Sequence, residues 1–396
     1  MEGNTKSAIL VVTYERWHTT TYIGVVTYKK MKRTLFYFIL TFSIAGCATK
    51  NHELGKQTDS EYEFGTESAE KAIRIAELLQ SDSVITELSW KNLFNTKGYK
   101  NYLIYSDSTE KKRLIRYALE TVFDSANKHR YDSLMNVPLI MGQDYFKLSL
   151  IRNFHNLKNN FDKARTFLES TDFNNLIVQG DSLARTFLPK RVQDSLPKLY
   201  DIHLILSDPD AKVMENAIVF DLNMAFDRGT DDLIKIIAHE FHHNYRALTA
   251  PRFKHPLMIQ LNKIHQEGVA DLIDKDKPPI QELSLYPKTI IDIYNFDYEN
   301  TPQKLKNLDS LTKVFLNQEI DSLTYYGRLE NYFGFGGHTN GFYMSLIIWE
   351  NKGIQVLIDG YDDPVEFIKI YNGVARESSN EYIFSYEFID FIEQIE

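Results

Sequence analysis

The chain has 396 residues, of which 25% are charged, with a formal net charge of −9 and one cysteine. This length allows about two domains, and a single cysteine excludes a disulfide framework and any zinc finger built on cysteines. The acidic balance argues against nucleic acid as a partner, because no basic surface is available to neutralise phosphate groups.

Residues 1–46 contain a predicted targeting signal. A basic cluster at 29–33 precedes the apolar run 34–42, and small residues then lead to Cys47. This order is typical of a secretory signal, and the apolar run is too short to span a membrane. The segment Ile44-Ala45-Gly46-Cys47 resembles the lipobox of bacterial lipoproteins, in which the cysteine becomes the first mature residue and carries lipid. We therefore expect a lipid anchor at Cys47 that holds the protein to a membrane of the bacterial cell envelope, on its periplasmic or cell-surface side.

The residues on either side of this signal carry two further predictions. Met31-Lys32-Arg33 has the composition of a normal start, so we hypothesise that Met31 is the initiator and that residues 1–30 are an over-extended reading frame. Residues 47–65 are polar with few large aliphatic side chains, which predicts a flexible tether between the anchor and the folded body.

Residues 66–199 have the periodicity of a helical region. Apolar residues recur at three- and four-residue steps from about residue 68, again over 111–127, and again over 144–168. We predict a helical N-terminal region that serves packing. Its tryptophan, Trp90, is expected in the core rather than in a substrate cleft, because large aromatic side chains are mostly buried.

Two short strands and a long helix follow. Residues 202–206 and 217–222 are aliphatic and lie on either side of a polar turn, which predicts strand, turn, strand. The polar residues after Gly229 can cap a helix, which we expect from about 231 to 247. We also hypothesise that 216–222 is an edge strand to which an extended peptide substrate adds by β-pairing.

The predicted helix contains His239-Glu240-Phe241-His242-His243, which fits H-E-x-x-H. Residues four positions apart share a helix face, so His239 and His243 can direct imidazole nitrogens at one zinc ion. Glu240 lies about 100° further round the helix, where its carboxylate can accept a proton from a water on the metal. His242 is an alternative ligand, but the spacing of four is preferred, so we place it around the ligands or at the surface.

A catalytic zinc site needs a third protein ligand. Glu267 and Asp271 lie four residues apart downstream of the first motif, so they project from one helix face. We predict that a turn returns the chain, that Glu267 is the third ligand and that Asp271 contacts a ligand imidazole. His265 is the alternative third ligand.

Together, H-E-x-x-H and the later E-x-x-x-D resemble the motifs of the gluzincin metallopeptidases, the thermolysin-like clan. More closely, the combination is similar to an uncharacterised family of zinc-dependent peptidases found as bacterial lipoproteins. The resemblance is firm over about 215–275 and looser over 90–350, and residues 1–65 lie outside it. No G-A-M-E-N motif precedes the zinc helix, so the sequence does not support an exopeptidase activity.

The resemblance implies a role for each residue of the two motifs. His239, His243 and Glu267 would be the zinc ligands, and Glu240 would be the general base. Asp271 would orient a ligand histidine. The implied activity is hydrolysis of peptide bonds.

In that clan, a downstream tyrosine or histidine donates a hydrogen bond to the oxyanion. The corresponding segment here is 334–343, whose glycines allow a loop to approach the metal closely before a helix over 342–349. His338 is the first candidate for this donor and Tyr343 is the second. The alternative is that this segment is only a turn that leads into a core helix.

These patterns predict an α+β protein that is mostly helical. A zincin-like catalytic domain with a small sheet spans 200–350, after the helical N-terminal region at 66–199, and a helical cover spans 351–396. The predicted function is zinc-dependent hydrolysis of a peptide or protein substrate. Two alternatives remain open: a non-catalytic surface-binding lipoprotein that keeps zinc for structure, and a zinc hydrolase of an ester or a cell-wall amide.

Overall fold

The structure is a computed structural model, and it describes residues 63–104, 108–139, 144–194, 196, 201–214, 217–280, 288–378 and 381–395. The predicted signal, the lipid anchor at Cys47 and the initiator at Met31 lie outside the described residues, as does nearly all of the predicted tether.

Helices form most of the described chain, which confirms the prediction of a mostly helical α+β protein. Numbered in chain order, they are α1 (Glu67–Gln80), α2 (Glu87–Phe94), α3 (Lys97–Tyr102), α4 (Ser108–Phe123), α5 (Lys128–Met135), α6 (Tyr145–Asn159), α7 (Phe161–Ser170), α8 (Phe173–Thr186), α9 (Lys190–Gln193), α10 (Leu222–Thr249), α11 (Pro256–Asp274), α12 (Lys288–Glu299), α13 (Thr301–Leu316), α14 (Ser322–Leu329), α15 (His338–Lys352), α16 (Ile354–Asp359), α17 (Pro364–Ala375) and α18 (Tyr386–Gln394). None of the helices within the described ranges is long and apolar enough to cross a membrane.

Four strands form one mixed sheet in the order β1-β2-β4-β3. Their bounds are β1 (Phe64–Gly65), β2 (Asp201–Ile205), β3 (Ala211–Val213) and β4 (Ala217–Asp221). β1, β2 and β4 run parallel, while β3 is antiparallel to β4, with Ala211 opposite Phe220. The two predicted strands are confirmed to within one residue at each end.

The hypothesis that 216–222 is an edge strand is wrong. β4 lies between β2 and β3, so both of its edges are paired within the sheet. The edge of the sheet on this side is β3, which has three residues, including Lys212. A strand this short cannot show the alternation of apolar and polar residues from which strands are predicted, so the sequence did not reveal it.

Helix α10 begins earlier than predicted. It starts at Leu222 because the Asp221 carboxylate, at the end of β4, accepts a hydrogen bond from the backbone N–H of Met224 at 3.1 Å. This carboxylate caps the first turn. Gly229, with φ 76° and ψ 171°, then interrupts the helical geometry, and the segment after it carries the H-E-x-x-H motif. Glycine suits this position because other residues rarely adopt such a φ.

The stretch of helical periodicity over 144–168 forms two helices, α6 and α7, which are separated at Asn160. The Asn160 side-chain amide donates a hydrogen bond to the carbonyl oxygen of Asn156 at 2.9 Å. Bonds of this kind, from a short polar side chain to the backbone, compete with the helical pattern. Apolar periodicity alone therefore did not reveal the break, because it continues on both sides of Asn160.

Two apolar clusters support the helices that carry the motifs. The first contains the sheet, the N-terminal helices and the apolar face of α10, including Ile237 and Phe241. It also buries Trp90, as predicted. The second surrounds α11 and the helices from α13 to α18, and it includes Leu261 and Ile264. α10 and α11 are thus supported mainly by different clusters, and they contact each other where the clusters meet.

Helices α11 and α15 touch through their backbones. A Cβ atom on Gly268 would lie 2.3 Å from the carbonyl oxygen of Gly341, and one on Gly341 would lie 2.1 Å from that of Ile264. Such distances are far below van der Waals contact, so both positions require glycine. The close approach brings His338, the first residue of α15, beside α11.

Replacement of Gly341 by alanine should lower the free energy of unfolding by about 2 kcal/mol, because the added methyl group meets backbone atoms that cannot rotate away. Urea unfolding of the purified protein measures this loss. The matched control is Gly327→Ala in α14, where nothing lies within 4 Å of the added Cβ. That variant should be as stable as the wild type or slightly more stable, since alanine favours a helix over glycine. Equal stability of Gly341→Ala and wild type would contradict the backbone contact.

Candidate metal centre

Three side chains from α10 and α11 direct ligand atoms at one point, and two of them, His239 and Glu267, are buried. His239 Nε2 and His243 Nε2 lie 2.9 Å apart, and Glu267 Oε2 lies 3.1 Å from His243 Nε2. The three atoms all lie within 4.8 Å of one another. Ligands held at zinc-bond lengths in a tetrahedron are separated by about 3.3 Å, so these distances suit one shared ion. The structure thus brings together the three residues that the sequence predicts as ligands.

The outer nitrogen of each helix α10 histidine is held by a group from α11. His239 Nδ1 lies 2.9 Å from Asp274 Oδ1, and His243 Nδ1 lies 2.8 Å from the amide nitrogen Nε2 of Gln266. The Asp274 carboxylate accepts the Nδ1 proton of His239 and leaves Nε2 of that ring free to bind a metal. Rotation of the Gln266 amide by 180° would present its oxygen to His243 Nδ1 in the same way. Asp274 was not among the predicted site residues, although its position seven residues after Glu267 places it on the same helix face.

Asp271 contacts a different histidine from the one expected. Its Oδ1 lies 2.9 Å from His338 Nδ1 but 3.8 Å from His239 Nδ1. The Lys275 ammonium group contacts both Asp271 and Asp274, so these two buried carboxylates share one positive charge. Asp271 therefore orients His338, while Asp274 contacts the histidine of the first motif.

His338 and Tyr343, the two candidate oxyanion donors, are in different places. His338 Nε2 lies 3.3 Å from Glu267 Oε2, so this imidazole belongs to the cluster around the ligands. The Tyr343 hydroxyl instead donates a hydrogen bond to Glu381 at 2.6 Å. Burial would lower the pKa of His338, but the carboxylates of Asp271 and Glu267 raise it above its usual value. These two carboxylates therefore stabilise the charged, hydrogen-bond-donating form of His338.

His242 and His265, the alternative ligands, are buried away from the three ligand atoms. His265 lies flat against Phe367, with ring centroids 4.5 Å apart, and its Nδ1 lies 3.0 Å from an Arg246 nitrogen. His242 is fully buried, and neither of its ring nitrogens has a hydrogen-bond partner among the described residues. Neither histidine belongs to a group of potential metal ligands in the described part of the chain.

Glu240 is buried next to the ligands. Burial raises the pKa of Glu240 well above its usual value, and the nearby carboxylates of Asp210 and Glu267 raise it further. A carboxylate with a raised pKa is a better acceptor for a proton from water. Asp210 directly precedes β3, and β3 contacts α10, so the edge of the sheet lies beside Glu240.

The donor set fits zinc. Two imidazole nitrogens and one carboxylate oxygen are the ligands found in catalytic zinc sites, which keep a further position open. Glu267 Oε2 is buried and has no hydrogen-bond partner among the described residues. Burial alone would raise the pKa of Glu267, but the imidazoles of His338 and His243 hold it well below its usual range. The oxygen is thus charged, buried and surrounded by imidazole nitrogens, 3.1 Å from that of His243 and 3.3 Å from that of His338, which is where a metal ion would be bound.

The chain matches the family described as "Putative zinc dependent peptidase (DUF5700)" over residues 90–380. No curated protein and no solved structure matches it. The matched segment includes the three ligand candidates, Glu240 and His338. It also covers well over half of the 396 residues. The chain therefore belongs to the DUF5700 family, whose description is that of a zinc-dependent peptidase.

Proposed function

We propose that this protein is a gluzincin-type metallopeptidase that hydrolyses peptide bonds in a peptide or protein substrate and is anchored to a membrane through lipid on Cys47. The observation that carries the proposal is the convergence of His239 Nε2, His243 Nε2 and Glu267 Oε2, which all lie within 4.8 Å of one another, with the glutamate side chain buried. Family membership supports zinc as the metal.

His239, His243 and Glu267 would hold the zinc ion. When bound, zinc supplies a Lewis acid that polarises the scissile carbonyl and makes water a stronger acid. Glu240 follows His239 directly in α10, so its carboxylate lies beside the ligands without being one of them. In our proposal Glu240 takes the proton of the attacking water and later gives it to the nitrogen of the leaving amine.

His338 is the proposed donor to the oxyanion. Its Nδ1 is fixed by Asp271, which leaves Nε2 facing the ligands, and its protonated form is favoured there. A preorganised donor of this kind stabilises negative charge as it develops on the carbonyl oxygen. The Tyr343 hydroxyl donates its hydrogen bond to Glu381, so we assign the role of oxyanion donor to His338.

The proposed place for the substrate backbone is the outer edge of β3. An extended peptide can add to an exposed sheet edge through main-chain hydrogen bonds. β3 has a strand on one side only among the described residues, and it contacts α10. A peptide paired with Ala211–Val213 would therefore run past Glu240.

Glu240→Gln should retain zinc and lose hydrolysis by about 10²–10⁴-fold, because an amide cannot accept the proton of water. Digestion of a peptide library by the purified protein, with metal analysis of the same sample, measures both properties. A chelator should abolish every cut made by the wild type. The control is Glu350→Gln, which changes an exposed glutamate paired with Lys277 and should leave zinc and hydrolysis unchanged. Retained hydrolysis by Glu240→Gln would refute its role as the base.

Glu267→Ala should bring zinc content close to zero after dialysis, since only two of the three predicted ligands remain. Metal analysis measures the occupancy, and circular dichroism checks that the variant is folded. The control Glu350→Ala should bind as much zinc as the wild type. If the Glu267→Ala protein is folded and fully loaded with zinc, the assigned ligand set is wrong.

The two carboxylates behind the ligands should have separable effects. Asp274→Asn should weaken zinc binding by about 10–100-fold, because Asp274 contacts the ligand His239. Asp271→Asn should reduce hydrolysis while zinc affinity changes less, because Asp271 contacts His338. Competition with a fluorescent chelator gives the affinities, and the digestion assay gives the rates. If Asp271→Asn weakened zinc binding and Asp274→Asn mainly reduced hydrolysis, the roles assigned to the two carboxylates would be reversed.

A further inference from the structure

A second cluster of buried polar side chains lies between α10 and α11, beside the metal centre. Arg246 and His242 are four residues apart on α10, and His265 is on α11. Their exposed fractions are 1%, 0% and 1%. One terminal nitrogen of Arg246, Nη2, donates to Asn262 Oδ1 at 2.9 Å and to His265 Nδ1 at 3.0 Å.

The charge of Arg246 is not balanced by any group that it touches. Its contacts are an amide, an imidazole and the ring of Tyr361, whose centroid lies 5.7 Å away. Among the described residues no carboxylate lies within ion-pair distance of it, and those of Asp362 and Glu267 act on its charge only from further away. Burial lowers the pKa of Arg246 only to about 10, so the guanidinium group stays charged at neutral pH. A buried charge without a counter-charge in contact with it is unfavourable.

Several donors of this cluster also have no acceptor. Arg246 Nε and Nη1 have no hydrogen-bond partner in the described chain, and the same holds for both ring nitrogens of His242. A neutral imidazole still carries one N–H group, so the cluster has unused donors on two side chains. Buried donors are nearly always satisfied in folded proteins, by protein groups or by a bound species.

We propose that Arg246 and His242 bind a small inorganic anion of the halide class inside the protein. Such an ion supplies the two things that the cluster lacks, which are a negative charge in contact with Arg246 and a hydrogen-bond acceptor. A water molecule would supply only the acceptor and would leave the guanidinium charge unbalanced. The full burial of the three side chains favours a single-atom ion over a larger carboxylate or phosphate.

Thermal unfolding tests this proposal in the presence of a chelator, so the outcome does not depend on zinc or on hydrolysis. The midpoint Tm of the full chain is compared in sodium chloride, sodium bromide and sodium gluconate at equal ionic strength. In halide, Tm should rise by about 3 °C and level off at millimolar concentration, as expected for binding to one site of the native state.

A matched pair of variants locates the effect. Arg246→Met keeps the length of the side chain without the charge, and it should remove the halide dependence of Tm. Arg191→Met is the control, since Arg191 also lies over the Tyr361 ring, at 5.7 Å, but is exposed and paired with Asp362. This control should keep the dependence in full. A dependence that survives in Arg246→Met would overturn the proposal.

Bromide diffraction provides a test on the wild type alone, which covers the case in which Arg246→Met does not fold. Crystals grown in millimolar bromide should show an anomalous peak within hydrogen-bond distance of Arg246 Nε or Nη1. Ordered water at that position without an anomalous signal would overturn the proposal, as would the same wild-type Tm in halide and in gluconate.

Discussion

One face of helix α11 determines the geometry of the metal centre. It carries the ligand Glu267, and at four and seven residues further on it carries Asp271 and Asp274. These two carboxylates hold the outer nitrogens of His338 and His239, while Gln266 of the same helix holds that of His243. Because helical periodicity fixes the spacing of these groups, a single element sets the direction of three imidazole rings. Helix α10 itself does not fix the orientation of its two ligand imidazole rings.

This arrangement is unfavourable for the free energy of folding, because it buries many charges in one place. Asp271 and Asp274 are offset by Lys275, and Glu267 faces the imidazoles of His243 and His338. Removing one partner of such a network leaves another charge buried without compensation. The two apolar clusters behind α10 and α11 provide the stability that the network requires. Arg246, two turns after His239 on the same face of α10, is a further buried charge beside α11, and the proposed anion would compensate it.

The parts of the site that were predictable lie within single helices. Positions 239, 240 and 243 form one local pattern, and 267 and 271 form another, so spacing alone was informative. The helical character of the chain was predictable for the same reason. The expectation for Asp271 was less complete, because its partner His338 is 67 residues away and only the packing of α15 on α11 brings them together. Sequence spacing carries no information about such pairs.

Other features were hidden because a competing local interaction decided them. The cap at Asp221 started α10 earlier than the residues after Gly229 indicated. β3 was too short to be recognised, which led to the wrong choice of edge strand. His242 is a polar residue at one of the variable positions inside H-E-x-x-H. The sequence therefore did not show whether its side chain is fully buried, as it is in the structure, or exposed at the surface.

The contact between Gly268 and Gly341 also has a mechanical meaning. Side chains in an interface can change rotamer and let two helices slide, but two main chains in direct contact have no such freedom. The contact therefore restricts sliding of α15 along α11, and it supports the distances of His338 from Glu267 and from Asp271. If a substrate binds as proposed, the movement that admits it would come from the segments that border these two helices.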